Sequence, residues 1–351
     1  MPIKSRAKTV TSRRRVTLAS TSAKGVDYFS SHEERTTLEF ISTGCVLLDN
    51  VIGGGYVLGR IANIVGDKSS GKTLCAIEAC ANFANSYSDG YIRYAEAEAA
   101  FDEKYAEALG MPVERVDFAE DIGTVEELFE DLEKTIDSLN GRPGLYIVDS
   151  LDALSDKAEQ ARKIDENSMG MSKQKKLSEL FRKLVQKVEK ARLCIIFISQ
   201  IRDKIGVTFG ETKTRTGGRS LDFYATQVFW LHEISKLKKT VEKIERIVGV
   251  QVKVKCKKNK IGLPFRECEY PIIFGYGIDD LTASVEWLVE NYREHRLAEL
   301  GLSKAGYKIR LSNIRNRGGE EAKELRKKLS VIINSEWKEI EQKFLPQAKK
   351  Y

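Results

Sequence analysis

The apolar positions change period several times along this chain, and each change marks a predicted element. Short unbroken apolar runs, "IANIV" (61–65), "GLYIVDS" (144–150) and "LCIIFISQ" (193–200), predict strands buried on both faces. "YIRYA" (91–95), "TQVFWLHEI" (226–234), "VQVKVKCKK" (250–258) and "PIIFGYGI" (271–278) predict further strands. Between the earlier runs the spacing becomes helical. Leu74, Ile77, Cys80 and Phe83 recur one turn apart, and helices are predicted over Val125–Leu139 and Ser172–Ala191. Strands alternating with helices predict an α/β fold, a mainly parallel sheet with helices on both faces. The later strands follow one another without long helices, which predicts an antiparallel edge.

The same pattern divides the chain. Residues 1–34 are polar and hold no period, as in a flexible arm, with one short helix near Val26–Phe29. A core follows over residues 35–277. Residues 278–351 turn helical and basic, broken at Gly318-Gly319, and read as a small C-terminal domain.

Charge refines this division. The net +7 is uneven: residues 1–24 carry seven cations and no acid, and residues 301–351 carry thirteen cations against six acids. The body between them must therefore be acidic by about seven charges. Two basic ends on an acidic body point to a polyanionic partner met at those ends. No apolar run approaches the ~18 residues that would span a bilayer, so no membrane role is expected. The six cysteines form no C-x-x-C pair and most sit inside apolar runs, as reduced core thiols of a cytoplasmic protein do.

Candidate chemistry begins at 66–73. Gly66-Asp67-Lys68-Ser69-Ser70-Gly71-Lys72-Thr73 fits G-x-x-x-x-G-K-[ST] at every position, between a predicted strand and a predicted helix. Glycines let the backbone curl until several N–H groups point at one anion, and the helix start adds its positive dipole end. Lys72 can reach β- and γ-phosphates, and the Thr73 hydroxyl can join a Mg²⁺ shell. Asp149, ending the strand "GLYIVDS", is placed to hold a Mg²⁺-bound water. Hydrolysis also needs a carboxylate to orient water. "YIRYAEAEAAFD" (91–102) offers Glu96, Glu98 and Asp102 just past a strand, and the residues alone do not choose between Glu96 and Glu98. Gln200, ending another strand, is a neutral amide that can sense a γ-phosphate. It opens a stretch of about twenty residues (201–220) rich in glycine and cations, the kind of long loop that is usually functional.

These motifs together resemble RecA-type homologous-recombination ATPases, which are P-loop proteins, with departures that suggest a bacteriophage-encoded version. The resemblance covers about residues 38–277. It rests on "ISTGCVLLDNVIGGG" (41–55), "GRIANIVGDKSSGKT" (59–73), "AEAEAAFDEKYAEALG" (95–110), "VDSLDALSDKAE" (148–159), "NSMGM" (167–171), "ISQIRDKIGVTFG" (198–210) with its following "TGG", and "KNKIGLPF" (258–265). Position by position, it implies Glu98 as the water-activating glutamate, Asp102 and Tyr105 beside adenine, and Gln200 as the link from ATP to the second DNA loop. It implies that Lys258 and Lys260 reach the ATP of a neighbouring subunit. For DNA it implies Met169 as an apolar wedge between bases, with Lys175, Arg182, Arg202, Lys204, Gly217, Gly218 and Arg219 along the phosphates.

The function so implied is a DNA-dependent ATPase, using ATP and Mg²⁺, that forms a homo-oligomeric helical filament on single-stranded DNA. It would pair that strand with homologous double-stranded DNA and exchange strands, in recombination and repair. A helicase or branch-migration motor of the same fold is the alternative, although 34 residues are short for the N-terminal assembly domain a helicase needs. A non-catalytic ATP-dependent DNA scaffold is a third reading, opposed by Glu98 and the two lysines.

Overall fold

The computed structural model describes residues 38–98, 101–161, 172–203, 213–346 and 348, with the side chains of Ser172, Asp203 and Arg219 excepted. The N-terminal arm with its expected short helix, and Met169 and Lys204, lie outside the described residues.

In chain order the elements are β1 (Phe40–Ile41), α1 (Val46–Ile52), β2 (Tyr56–Val57), β3 (Ile61–Gly66), α2 (Lys72–Ser86), β4 (Tyr91–Glu96), α3 (Glu103–Ala108), β5 (Val116–Ala119), α4 (Val125–Ser138), β6 (Gly144–Asp149), α5 (Lys157–Ala161), α6 (Ser172–Ala191), β7 (Leu193–Asp203), β8 (Lys213–Arg215), α7 (Gly218–Tyr224), β9 (Gln227–Val241), β10 (Ile244–Asn259), β11 (Glu267–Ile273), β12 (Gly277–Ile278), α8 (Asp280–Glu290), α9 (Tyr307–Arg317) and α10 (Gly319–Phe344). The main sheet runs β12-β11-β10-β9-β3-β7-β6-β4-β5, with β8 added to β7. From β9 through β5 the neighbours are parallel, and from β9 to β12 they are antiparallel, as the missing crossover helices require.

Alternation along the central strands builds two cores. Leu145 and Ile147 of β6, and Cys194, Ile196 and Ile198 of β7, face α1, α2 and the C-terminal helices. Tyr146 and Val148, with Ile195 and Phe197, face α4, α6 and α7. In α6, Leu177, Phe181, Leu184 and Val188 repeat at helical spacing and are buried, and Phe181 meets Phe197 edge-on at 5.3 Å between ring centres. α4 starts on a capping box, Thr124 accepting from the Glu127 N–H while Glu127 accepts from the Thr124 N–H. α8, α9 and α10 share the first core, since Leu281, Leu311, Leu329 and Ile333 join the cluster that holds Ile64 and Ile196.

Two features depart from the sequence pattern. "PIIFGYGI" is two strands, β11 and β12, separated by a turn at Phe274–Tyr276. β9 and β10 are far longer than the runs that predicted them. They continue as a two-stranded arm that closes on Glu242-Lys243, both at positive φ (51° and 66°), between the paired Val241 and Ile244. A two-residue hairpin turn normally announces itself by Asn-Gly or a similar pair, and this one carries no such signal.

The basic C-terminal stretch is also less bare than its charge implies. Lys304, Lys308, Arg310, Arg315, Lys323 and Lys328 each pair with a carboxylate of their own neighbourhood. Among the described residues, no helix is long and apolar enough to cross a membrane.

Candidate nucleotide and strand site

β3 delivers Gly66 to the C-terminal edge of the sheet, in register with Gln200 of β7 on one side and Leu231 of β9 on the other. The loop that follows needs its glycines. A side chain at Gly66 would place Cβ 2.3 Å from Ser70 Oγ, and Gly71 stands at φ 90° with Ile272 filling the space a Cβ would take. Ser69 also takes positive φ (61°), so the chain curls before α2 begins. Ser70 Oγ donates to the Asp67 carbonyl at 2.8 Å. The Lys72 ammonium is folded back onto the same carbonyl at 2.7 Å. Burial holds the Lys72 pKa below its ordinary value, with Asp149 and Glu98 opposing the shift. Asp67 and Lys68 are exposed at the loop's outer turn, where Asp67 lies 3.7 Å from His232 and 3.9 Å from Lys213.

β6 carries the second half of the site. Asp149 is buried and accepts from Thr73 Oγ1 at 2.8 Å and from Tyr94 OH at 3.0 Å. Burial raises the pKa of its carboxyl, and those two hydrogen bonds oppose the rise. A hydroxyl and a carboxylate side by side are hard oxygen donors suited to Mg²⁺, and a cation there would relieve the buried charge. Among the described residues no cluster of three or more His, Cys, Asp or Glu side chains could cage a metal by itself.

The two candidate glutamates separate here. Glu96 ends β4 in register with Asp149 and is buried. Glu98 lies two residues further, where Oε1 accepts from the Ser150 hydroxyl and from Gln200 Nε2 at 3.0 Å. Glu98 is therefore bonded to the strand that leads to residues 204–212. Asp102 caps α3, accepting from the Tyr105 N–H at 3.0 Å, and leaves the Tyr105 ring exposed.

Lys258 and Lys260 are not at this edge. β9 aligns Val228 with Asn63, and β10 aligns Lys258 with Val228, so Lys258 is level with Asn63 in the middle of β3, short of the loop. Their ammonium groups are at the C-terminal end of α7. Lys258 Nζ donates to the carbonyls of Asp222 and Phe223, and Lys260 Nζ to that of Phe223 at 3.0 Å. Burial, then the neighbouring Lys260 charge, pull the Lys258 pKa down to about 8.

Of the strand-facing candidates, Lys175 and Arg182 project from the exposed side of α6. Arg202 is exposed at the end of β7, and Gly217 and Gly218 open α7 at positive φ (83° and 43°). Met169, Lys204 and the Arg219 side chain fall outside the described residues. Sequence reasoning passed over Ser150, Tyr94, Asp152 and Thr216. Their only signal was proximity in sequence or register to Asp149 and Gln200, which a motif does not rank.

The model of the RecA N-terminal domain matches residues 23–279. The chain belongs to the RecA family. Relatives named Protein RecA include that of Limosilactobacillus reuteri (strain DSM 20016), 37% identical over 253 residues, which are 72% of this chain and 67% of that protein. The one from Synechococcus sp. (strain CC9605) is 37% identical over 247 residues, 70% of this chain and 63% of that protein. The chain thus matches about two thirds of the length of these relatives. RecA membership implies nucleotide binding, and the Gly66–Thr73 loop beside Asp149 has the geometry for it.

Proposed function

We propose that this chain is a DNA-dependent ATPase that assembles on single-stranded DNA and exchanges strands with homologous duplex, in recombination and repair. The observation that carries the reading is the position of Gln200. Its side chain bonds Glu98 in the nucleotide site, and its strand, β7, leads directly into the second strand-binding segment.

In this reading the loop N–H groups and Lys72 hold the β- and γ-phosphates of ATP, the lysine exchanging the Asp67 carbonyl for phosphate oxygen. Thr73 and Asp149 hold Mg²⁺, which when bound neutralises charge on those oxygens. The exposed Tyr105 ring and Asp102 sit against adenine. Glu98 accepts the proton of the water that attacks the γ-phosphorus, releasing ADP and phosphate, while Ser150 and Gln200 fix its orientation. Lys258 and Lys260, remote from their own loop, serve the loop of the next protomer in a head-to-tail filament. Lys175, Arg182, Arg202, Arg219 and Lys204 follow the strand's phosphates, Gly217 and Gly218 allow close backbone approach, and Met169 separates bases. Six free, buried thiols support a cytoplasmic setting.

The test is ATP hydrolysis with and without single-stranded DNA, followed by exchange between a circular single strand and homologous linear duplex. Strong stimulation and joint-molecule formation are expected. Hydrolysis indifferent to DNA, or unwinding without pairing, would contradict the reading.

A further inference from the structure

Asp152 stands three residues past Asp149, on the turn that leaves β6, and its side chain is only 6% exposed. One carboxylate oxygen accepts from the Gln200 backbone N–H at 2.7 Å. The other accepts from Arg202 Nε at 3.1 Å and from Thr216 Oγ1 at 2.6 Å. Its carbonyl oxygen accepts from Lys173 Nζ at 3.3 Å. One residue thus gathers the end of β7, the turn before α7 and the first turn of α6. α6 follows residues 162–171, β7 precedes residues 204–212, and β8 joins 204–212 to the turn before α7.

Charge makes the arrangement costly to leave incomplete. A nearly buried carboxylate needs partners on both oxygens, and here both are occupied. Arg202 is 60% exposed and gives Asp152 its Nε hydrogen. Among the described residues its two terminal amino groups have no partner, and an exposed guanidinium can take a phosphate bidentately. Gln200 is shared: its backbone is fixed by Asp152 and its side chain touches Glu98.

We propose that Asp152 is a positioning residue that ties the roots of both strand-binding segments to the hydrolysis site and orients Arg202 for a strand phosphate. The inference rests on the DNA-dependent ATPase reading above. Asp152→Asn keeps the volume but has one acceptor oxygen. Its amide hydrogens must then face either the Gln200 N–H or the Arg202 and Thr216 donors. Losing one charge-assisted bond lowers single-strand affinity and DNA stimulation of ATP turnover by about tenfold each. Affinity for nucleotide without DNA stays within about threefold of wild type, which a general loss of structure would not allow. Arg202→Gln lowers strand affinity by a similar factor, and the double variant loses little more, because both changes remove one interaction.

If wild type is stimulated by single-stranded DNA and Asp152→Asn is stimulated equally, the inference fails while the functional reading stands. Additive losses in the double variant, or loss of nucleotide affinity in parallel with strand affinity, also overturn it. If wild type itself ignores DNA, the functional reading is what fails. Asp152→Ala, which strips all three side-chain bonds, serves as the second variant. It must lose at least as much stimulation as Asp152→Asn, and a smaller loss refutes the positioning role.

Discussion

Lys258→Ala should silence a protomer's neighbour rather than the protomer itself, and a mixing experiment can measure this. Lys258 is level with Asn63, two strands across from β3, whereas the phosphate loop starts at Gly66. At strand spacings this is about 10 Å along the sheet and about 10 Å across it, with the phosphates further still, beyond the reach of a lysine side chain. A cation supplied in trans to a transferring phosphoryl group is worth about 10³-fold or more in turnover, so Lys258→Ala alone should be nearly inactive on single-stranded DNA. Asp149→Asn should be inactive for the opposite reason, having intact lysines but lacking the carboxylate beside Thr73 in its own nucleotide site. In a random head-to-tail mixture of the two, a functional interface needs a Lys258→Ala loop facing an Asp149→Asn lysine pair. At equal amounts this occurs at about one interface in four, so turnover should recover to about a quarter of wild type and fall away on either side. The assay is steady-state ATP hydrolysis at saturating strand, across mixing ratios at fixed total protein. Activity that never exceeds the sum of the separate variants would refute an intersubunit role for Lys258.

Glu98→Gln keeps an oxygen for Ser150 and Gln200 but removes the base, so hydrolysis should fall by about 10²–10⁴-fold while ATP binding persists. Glu96→Gln should cost far less, and the reverse ranking in a single-turnover assay would show that the glutamates have been assigned the wrong way round. Burial pushes Asp49 up to about 7 against the hydrogen bonds it accepts from Thr43 and Ser42. Its carboxyl is therefore protonated when folded and ionised when unfolded between about pH 4 and pH 7, and it loses stabilising effect as pH rises through that window. Asp49→Asn mimics the protonated acid, so its thermal midpoint should gain on wild type as pH is raised from about 4 to about 7, and a pH-independent difference would contradict the assignment.

The loop edge of the sheet was legible because its sequence signal is local. Eight consecutive residues specify the turn between β3 and α2, and an apolar strand ending in Asp149 specifies the neighbour of Thr73. The parallel-then-antiparallel order followed from where crossover helices stop. Ser172–Ala191 matches α6 residue for residue because its apolar stripe is long and regular. Other features depend on contacts that no window of sequence contains. One hydrogen bond that Glu98 accepts comes from Gln200, 102 positions away. The C-terminal helices read as separate because their basic surface hid an apolar side, yet Leu329 and Ile333 complete the core over α1. The β9–β10 arm was underestimated since its alternating lysines and isoleucines resemble solvated loop, and Glu242-Lys243 gives no turn signal. Asp152 was invisible for the same reason as Thr216: each is ordinary until the fold brings them within 2.6 Å.

Electron microscopy of the full chain with single-stranded DNA and a slowly hydrolysed ATP analogue tests nucleotide-gated, head-to-tail assembly most directly. Helical filaments should coat the strand with the analogue present, and they should be lost with Lys72→Ala, which lacks the ammonium that holds phosphate. Closed rings, or an irregular coat that forms equally well without nucleotide, would contradict it.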